Sequence, residues 1–234
     1  MTLHRLQATP STQDVLHDLA ASGAPAGTAV VAEVQTLGRG RRGRGWESPR
    51  GGLWLSVLLR PGDAPAIEVL SLRVALAVAA ALERMVPGMV VHLKWPNDLI
   101  LSGRKLGGIL CEARWQGTMP GWVAVGVGIN VTNQIPAELA SRAVGLASVA
   151  PTLSAEQLIE PLVAAIVAVG GSAGHLSAAE LAAFRSRDWL AGKRLQQPLA
   201  ATAGGVAPDG ALLLECDDGS TQELRSGTVL LADH

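Results

Sequence analysis

The sequence predicts an α+β protein with a larger domain at residues 1–190 and a small β domain at 191–234. Up to about residue 190, segments rich in β-branched residues alternate with long apolar segments of helical character. Beyond that point only short strand-like segments remain, separated by Asp-Gly turns, which indicates a small β-barrel. A chain of 234 residues that is 48% hydrophobic is long and apolar enough for a folded core.

The first elements are a helix and two strands. The segment PSTQDVLHDLAASG predicts a helix, because Ser11 or Thr12 can cap its start and Gly23 can end it. The segment 27–36 is rich in β-branched residues and predicts a strand. A second strand is predicted at 53–61, where leucine and valine alternate with other residues on one face.

The most apolar segment, 69–86, predicts a buried helix that ends at Pro87 and Gly88. It contains Arg73 and further charges near its end, so it is not expected to span a membrane. A strand is predicted next at 89–96, followed by a hairpin at 97–115 with its turn at Ser102 and Gly103. A further strand at 121–131 and two helices at 154–169 and 177–190 complete the larger domain.

Composition narrows the class of protein. The formal net charge is -1, whereas a general nucleic-acid binder would more often be basic overall. Cys111 and Cys216 lie far apart, which fits neither a disulfide framework nor a metal-ligand motif. The N-terminus lacks the apolar core of a signal peptide. We therefore expect a cytoplasmic protein with no membrane partner.

The densest charge lies in GRGRRGRGW, residues 38–46, hereafter the arginine loop. Its first six residues match the dinucleotide pattern G-x-G-x-x-G and follow a predicted strand. That pattern requires a helix to begin there, but glycines, a proline and another strand follow, so we reject a dinucleotide site. Glycine N–H groups and arginine side chains still favour phosphate binding. A solvated surface loop is the alternative, which Trp46 and the glycines make less favourable.

A second polar segment is KWPNDLILSGRKLGG, residues 94–108. Taken alone, Asn97 and Asp98 are explained by a turn after Pro96, and that alternative stays open. Together with the arginine loop, the segment suggests an enzyme that binds a nucleoside triphosphate without a P-loop. Lys105 would then neutralise a transferring group and Asp98 would hold Mg²⁺ through its oxygens.

Four segments, in this order and spacing, resemble biotin–protein ligases (biotin–acetyl-CoA-carboxylase ligases). The segments are ST at 11–12, AEVQTLGRGRRGRGWESPRGGLWLS at 32–56, KWPNDLILSGRKLGGILCEA at 94–113 and VGVGINV at 125–131. The resemblance covers nearly all of the larger domain.

The resemblance implies an ATP-dependent ligase. Such enzymes make biotinyl-5′-AMP from biotin and ATP, release pyrophosphate, and transfer biotin to one lysine of a biotin carboxyl carrier domain. It implies Mg²⁺ with the ATP, the carrier domain of a biotin-dependent carboxylase as partner, and leaves a homodimer open. The implied fold is a mixed β-sheet with helices packed on one face, as in class II aminoacyl-tRNA synthetases, followed by an SH3-like β-barrel.

The resemblance also assigns residues position by position. The biotin-binding residues implied are Ser11, Thr12, Gln35, Gly38, Arg39, Gly40, Arg41, Lys105 and Gly108. The ATP-binding residues implied are Arg41, Arg42, Arg44, Trp46, Lys94, Asn97 and Asn130, with Trp46 against the adenine. Lys105, Arg41 and Asp98 are the implied catalytic residues, and Asp98 is the metal ligand. Gln13 stands where the family often has Asn, and its contact with biotin stays open.

Many relatives carry an N-terminal DNA-binding domain, but only ten residues precede Ser11 here. We therefore expect a monofunctional ligase that does not bind DNA. Two other functions are alternatives. A lipoate–protein ligase would lack the pairing of GRGRRGRGW with KWPND. An RNA-binding module would have a broader basic surface or more aromatic residues than the 3% found here.

Overall fold

The computed structural model describes residues 2–117 and 119–232. Its larger sheet has seven strands in the order β1-β2-β3-β7-β6-β5-β4. The strands are β1 (Leu3–Thr9), β2 (Ala29–Gln35), β3 (Leu53–Leu59), β4 (His92–Lys94), β5 (Asp98–Leu101), β6 (Arg104–Gln116) and β7 (Met119–Ile129). β1 and β2 are parallel and the other neighbours are antiparallel, so the predicted mixed sheet is confirmed.

The helices are α1 (Thr12–Ala21), α2 (Ala64–Glu68), α3 (Leu70–Met85), α4 (Ala155–Val169) and α5 (Ala178–Arg185). The Ser11 side chain caps α1, as its type predicts. Ser154 and Ser177 form capping boxes that fix the starts of α4 and α5. α5 ends at Arg185 rather than near residue 190, and β1 was not predicted.

Helices cover the two faces of the large sheet unequally. α3 and α4 pack on the face formed by residues such as Leu55, Val57 and Val125. α1 packs on the other face, against Leu58 and Ala124. The expected arrangement with helices on one face therefore holds for α3 and α4 but not for α1. The reason is that alternate strand positions are apolar on both faces at this end of the sheet.

The second sheet has five strands in the order β11-β10-β9-β8-β12. They are β8 (Arg194–Gln197), β9 (Ala201–Val206), β10 (Leu212–Glu215), β11 (Thr221–Leu224) and β12 (Leu230–Leu231). All pairs are antiparallel, and among the described residues β11 and β12 are edge strands. The expected C-terminal β domain is thus an antiparallel sheet whose described pairings do not close a barrel.

The two sheets share one hydrophobic core. Leu195, Leu212 and Val229 of the C-terminal region are buried in the same cluster as α3 and the large sheet. The Trp95 indole N–H also donates to the Gly210 carbonyl oxygen, 2.9 Å away. The domain boundary near residue 190 stays a prediction. Within residues 2–117 and 119–232, no helix has the length and hydrophobicity to cross a bilayer.

Candidate active site

A cavity of about 490 Å³ opens on the face of the large sheet that carries α1, beyond the N-terminal end of that helix. This volume is in the range of small-molecule sites. Its walls come from the start of α1, the end of β2, the arginine loop, strands β5 to β7, the segment 133–143 and residues 227–230 of the C-terminal region.

Glycines form the floor of this cavity. On β7, Gly126 and Gly128 point toward it, and Gly128 pairs with Gly108 on β6. A Cβ atom on Gly128 would lie 2.7 Å from Nε1 of Trp46, and one on Gly126 would lie 2.7 Å from Nε2 of Gln13. These glycines therefore allow Trp46 and Gln13 to lie directly on the sheet.

Lys105 and Asp98 face each other across the β5–β6 hairpin. The Lys105 Nζ is 2.7 Å from an Asp98 oxygen and 5.0 Å from the centre of the Trp46 ring. The predicted turn at Ser102 and Gly103 is confirmed, and both residues have positive φ angles of 50° and 75°. The turn brings β5 and β6 together, and with the register shift between Leu99 and Ile100 the two charges meet at the cavity wall.

The arginine loop is itself a short hairpin. The Trp46 N–H donates to the Gly38 carbonyl at 2.8 Å, and the Gly40 N–H donates to the Arg44 carbonyl at 2.7 Å. At the tip, Arg42 has a φ of 58°, in the left-handed region that L-residues rarely adopt. Gly38 is required at the base, since a Cβ there would overlap the Trp46 carbonyl oxygen.

The loop arginines have different partners. Arg39 is bound to Glu112 through two hydrogen bonds of 3.0 and 2.8 Å and to Asp14 at 2.8 Å. Arg41 lines the cavity, where its nearest polar partner is Asn97 Oδ1 at 3.4 Å. Burial, together with repulsion from the neighbouring arginines, lowers the pKa of Arg41. Among the described residues no carboxylate forms an ion pair with Arg41, so its charge is available to an anionic ligand.

The end of the cavity next to α1 is lined by a buried chain of hydrogen bonds. The Thr12 N–H and hydroxyl both donate to Gln35 Oε1, at 2.9 and 3.0 Å. The Gln35 amide N–H₂ donates to the Ser48 hydroxyl at 2.9 Å. Gln13 donates to the Leu110 carbonyl at 3.1 Å, and its own Oε1 is buried without a partner among the described residues. That oxygen is thus a hydrogen-bond acceptor left unused in this part of the wall.

The opposite end is lined by amide and amine groups. The Asn97 side chain donates to the Ile109 carbonyl at 3.0 Å, and Asn130 accepts from Asn133 at 3.1 Å. Lys94 lies 5.5 Å from the Trp189 ring, and burial lowers its pKa. These polar groups suit the hydrogen-bond donors and acceptors of a nucleotide and would be poor neighbours for an apolar ligand.

The residues present suit a magnesium ion that arrives with a nucleotide. The described residues hold no group of three or more His, Cys, Asp or Glu side chains that could form a metal site. Asp98 is a carboxylate on the cavity wall, but Lys105 occupies one of its oxygens. A single carboxylate is sufficient where phosphate oxygens and water complete the coordination shell.

Most of the implied site residues line this one cavity. Those that do so are Ser11, Thr12, Gln35, Arg39, Gly40, Arg41, Arg44, Trp46, Lys94, Asn97, Asp98, Lys105, Gly108 and Asn130. Gly38 is not among the lining residues, and Arg42 lines a neighbouring cavity of about 310 Å³. Sequence reasoning missed Glu112, His17 and Trp122, which bond to one another, and Thr228, which contacts Arg44. These pairs are far apart in the chain, and no local motif marks them.

The chain matches two family models. The first, the biotin/lipoate A/B protein ligase family, matches residues 6–130. The second, the biotin protein ligase C-terminal domain, matches residues 192–231. Together they cover nearly all of the large sheet and the C-terminal sheet, whereas the cavity wall at 133–143 lies outside both.

Individual relatives agree with these models. The chain is 36% identical to the biotin–[acetyl-CoA-carboxylase] ligase of Mycobacterium tuberculosis, over 95% of this chain and 86% of that protein. It is 42% identical to the bifunctional ligase/repressor BirA of Bacillus subtilis, over 60% of this chain and 44% of that protein. The chain thus spans less than half of the length of the Bacillus subtilis relative.

The fold is also found among solved structures. The structure of a biotin protein ligase from Aquifex aeolicus in complex with biotin and ATP superposes with a TM-score of 0.84 at 28% identity, covering 100% of this chain and 99% of that one. Matches of this extent, in sequence and in structure, show that the chain belongs to the biotin/lipoate A/B protein ligase family.

Proposed function

We propose that this protein is an ATP-dependent biotin–protein ligase. It forms biotinyl-5′-AMP from biotin and ATP and then transfers biotin to a lysine of a biotin carboxyl carrier domain. The observation that carries the proposal is the convergence of Lys105 and Arg41 on one cavity with the Thr12–Gln35 hydrogen bonds. The family match and the Mycobacterium tuberculosis relative support biotin rather than lipoate as the acid.

In the first step, a carboxylate oxygen of biotin attacks the α-phosphorus of ATP. The new O–P bond forms as the bond to the pyrophosphate oxygen breaks, so pyrophosphate leaves. Negative charge builds on the phosphoryl oxygens, and Lys105 and Arg41 are the cations placed to stabilise it. Lys105 must exchange its Asp98 partner for the ligand as it does so. Mg²⁺ bound to Asp98 and the phosphates would neutralise further charge.

In the second step, the amine of the carrier lysine attacks the carbonyl carbon of the adenylate. An amide bond forms, the bond to AMP breaks, and the amine loses a proton. Asp98, once released from Lys105, would orient that amine and accept the proton, which its place on the cavity wall supports. The arginine loop lines the cavity, where it would keep water from the reactive adenylate.

The test is transfer to a purified carrier domain. The protein is incubated with ATP, Mg²⁺, biotin and the carrier, and the carrier is probed with streptavidin. A carrier with its acceptor lysine changed to arginine is the matched control. We expect signal on the unmodified carrier alone. Absence of biotin transfer, with transfer of lipoate in a parallel reaction, would overturn the proposal.

The remaining expectations stay predictions. The cytoplasmic location is expected from the cysteine content and the N-terminal composition, and the resemblance leaves a homodimer open.

A further inference from the structure

A chain of hydrogen bonds runs from Trp122 to Arg39 behind the arginine loop. The Trp122 indole N–H donates to Nδ1 of His17 at 3.0 Å. Nε2 of His17 lies 3.3 Å from Oε2 of Glu112, and Glu112 accepts from Arg39 at 3.0 and 2.8 Å. The chain links β7, α1, β6 and the arginine loop.

The direction of these bonds is fixed by chemistry. An indole nitrogen only donates, so Nδ1 of His17 accepts and the proton of the neutral imidazole lies on Nε2, facing Glu112. Both Glu112 oxygens then accept, from Arg39 and His17. The bonds from these two groups lower the pKa of Glu112 to about 2. The carboxylate is therefore held ionised, in one orientation, beside the guanidinium.

The chain is partly buried, which makes its geometry specific. The His17 side chain is 9% exposed and the Glu112 side chain 24% exposed. Two parallel N–H···O bonds between guanidinium and carboxylate restrict the position of both groups. Nε and Nη2 of Arg39 make these bonds, and Nη2 also contacts Asp14. The third guanidinium nitrogen, Nη1, has no hydrogen-bond partner among the described residues.

We propose that Glu112 and His17 are positioning residues that act through Arg39. They hold the base of the arginine loop against the sheet, which keeps the Arg39 guanidinium at the cavity wall near α1. Arg39 is thus an anchor as well as a ligand contact. The proposal rests on the proposed ligase function, but its structural part does not require that the protein bind biotin.

The first experiment measures the loop directly, without substrates. Trypsin cleaves after exposed arginines, and Arg42 and Arg44 at the loop tip are exposed. For Glu112→Gln, we expect cleavage within the loop to be about tenfold faster than in the wild type, because a charge-assisted pair is lost. Glu156→Gln is the matched control, since it breaks a bidentate pair with Arg5 that lies outside the cavity. Its loop should be cut at the wild-type rate.

The second experiment separates positioning from general loss of structure. His17→Gln keeps an amide N–H near the position of the imidazole Nε2, whereas His17→Leu removes the donor. We expect His17→Gln to retain the wild-type KM for biotin within about twofold, and His17→Leu and Glu112→Gln to raise it about tenfold. The kcat for transfer should change less than about twofold in all three.

Wild-type trypsin rates and biotin KM in Glu112→Gln would overturn the proposal. An equal rise of the biotin KM in His17→Gln and His17→Leu would also overturn it, because packing alone would then explain the role of His17. Failure of the wild-type protein to biotinylate a carrier overturns the ligase function instead, and leaves the trypsin comparison as a separate result.

Discussion

At the scale of single residues, the Asp98 carboxylate balances the positive charge of Lys105 until a ligand binds. The contact with Asp98 at 2.7 Å and the Trp46 ring 5.0 Å away hold the amine at the cavity wall. The side chain is about one third exposed, so a phosphate or carboxylate can compete with Asp98 for it. The hairpin that carries both residues is local, which is why the sequence analysis finds both in one polar segment.

Lys105→Met tests the catalytic role of the lysine. We expect the rate of pyrophosphate release to fall by about 100-fold or more, the typical effect of removing one group that stabilises transition-state charge. Arg104→Met is the control, since its side chain bonds only the exposed Ala140 carbonyl among the described residues. Near-normal pyrophosphate release by Lys105→Met would contradict the role.

Gly128→Ala tests the glycine floor. The added Cβ would lie 2.7 Å from Nε1 of Trp46 and must displace the indole ring. We expect the KM for ATP to rise about tenfold with little change in the melting temperature, because one methyl group misplaces the ring without opening the core. Gly171→Ala is the control, since a Cβ at that position meets nothing within 4 Å. An unchanged KM for ATP would show that Trp46 is not needed in this position.

At the scale of elements, local sequence signals predict that a helix or hairpin forms, but not which elements it packs against. The turn at Ser102 and Gly103 predicts the β5–β6 hairpin, and the apolar run at 69–86 predicts α3. β1 was missed, because LHRLQAT contains charged and polar residues that only pairing with β2 makes extended. Arg73 was seen only as a charge within a helix. The structure shows that it is 3% exposed and that it binds a distant loop.

Arg73 holds the connection between α4 and α5 onto α3. It donates to the backbone carbonyls of Ala173, Gly174 and His175 and to the Glu180 carboxylate, at 2.6 Å for the shortest bond. Replacing it by Met leaves these acceptors and a carboxylate without their partner. We expect Arg73→Met to lower the free energy of unfolding by about 3–5 kcal/mol, measured by denaturant titration.

The control for this prediction is Arg5→Met, which removes the exposed pair with Glu156. Exposed ion pairs contribute about 0–1 kcal/mol, so this variant should unfold close to the wild type. A loss in Arg73→Met no larger than in Arg5→Met would show that the connection does not depend on Arg73.

At the scale of the whole molecule, the C-terminal sheet is part of the cavity. Thr228, Val229 and Leu230 line it, and Val229 is buried in the shared core. The sequence predicts the C-terminal strands from their turns, but not their position over the site. That position depends on contacts between residues more than a hundred apart, such as Trp95 with Gly210. For the same physical reason, Glu112 beside Arg39 has no signature in the sequence.

Glu112 also makes the stability of the whole fold depend on pH. Its hydrogen bonds with His17 and Arg39 lower its pKa from 4.5 to about 2. A carboxylate with a lowered pKa stabilises the folded state above its unfolded pKa and loses that contribution as the pH falls through the folded value. Because water reaches part of the side chain and screens the pair, the ionised group should contribute about 1–3 kcal/mol at neutral pH, which protonation removes between about pH 4.5 and pH 2.

The difference in unfolding free energy between the wild type and Glu112→Gln isolates this contribution, because all other acids titrate in both proteins. We expect the difference to be constant from about pH 5 to pH 7 and to shrink steadily as the pH falls toward 2. Urea titrations at each pH measure it. Glu156→Gln should differ far less from the wild type, because water surrounds its pair with Arg5. A difference that does not change below pH 4.5 would show that the Glu112 carboxylate is not held by these bonds. The link from Trp122 to the arginine loop would then lack its charged centre.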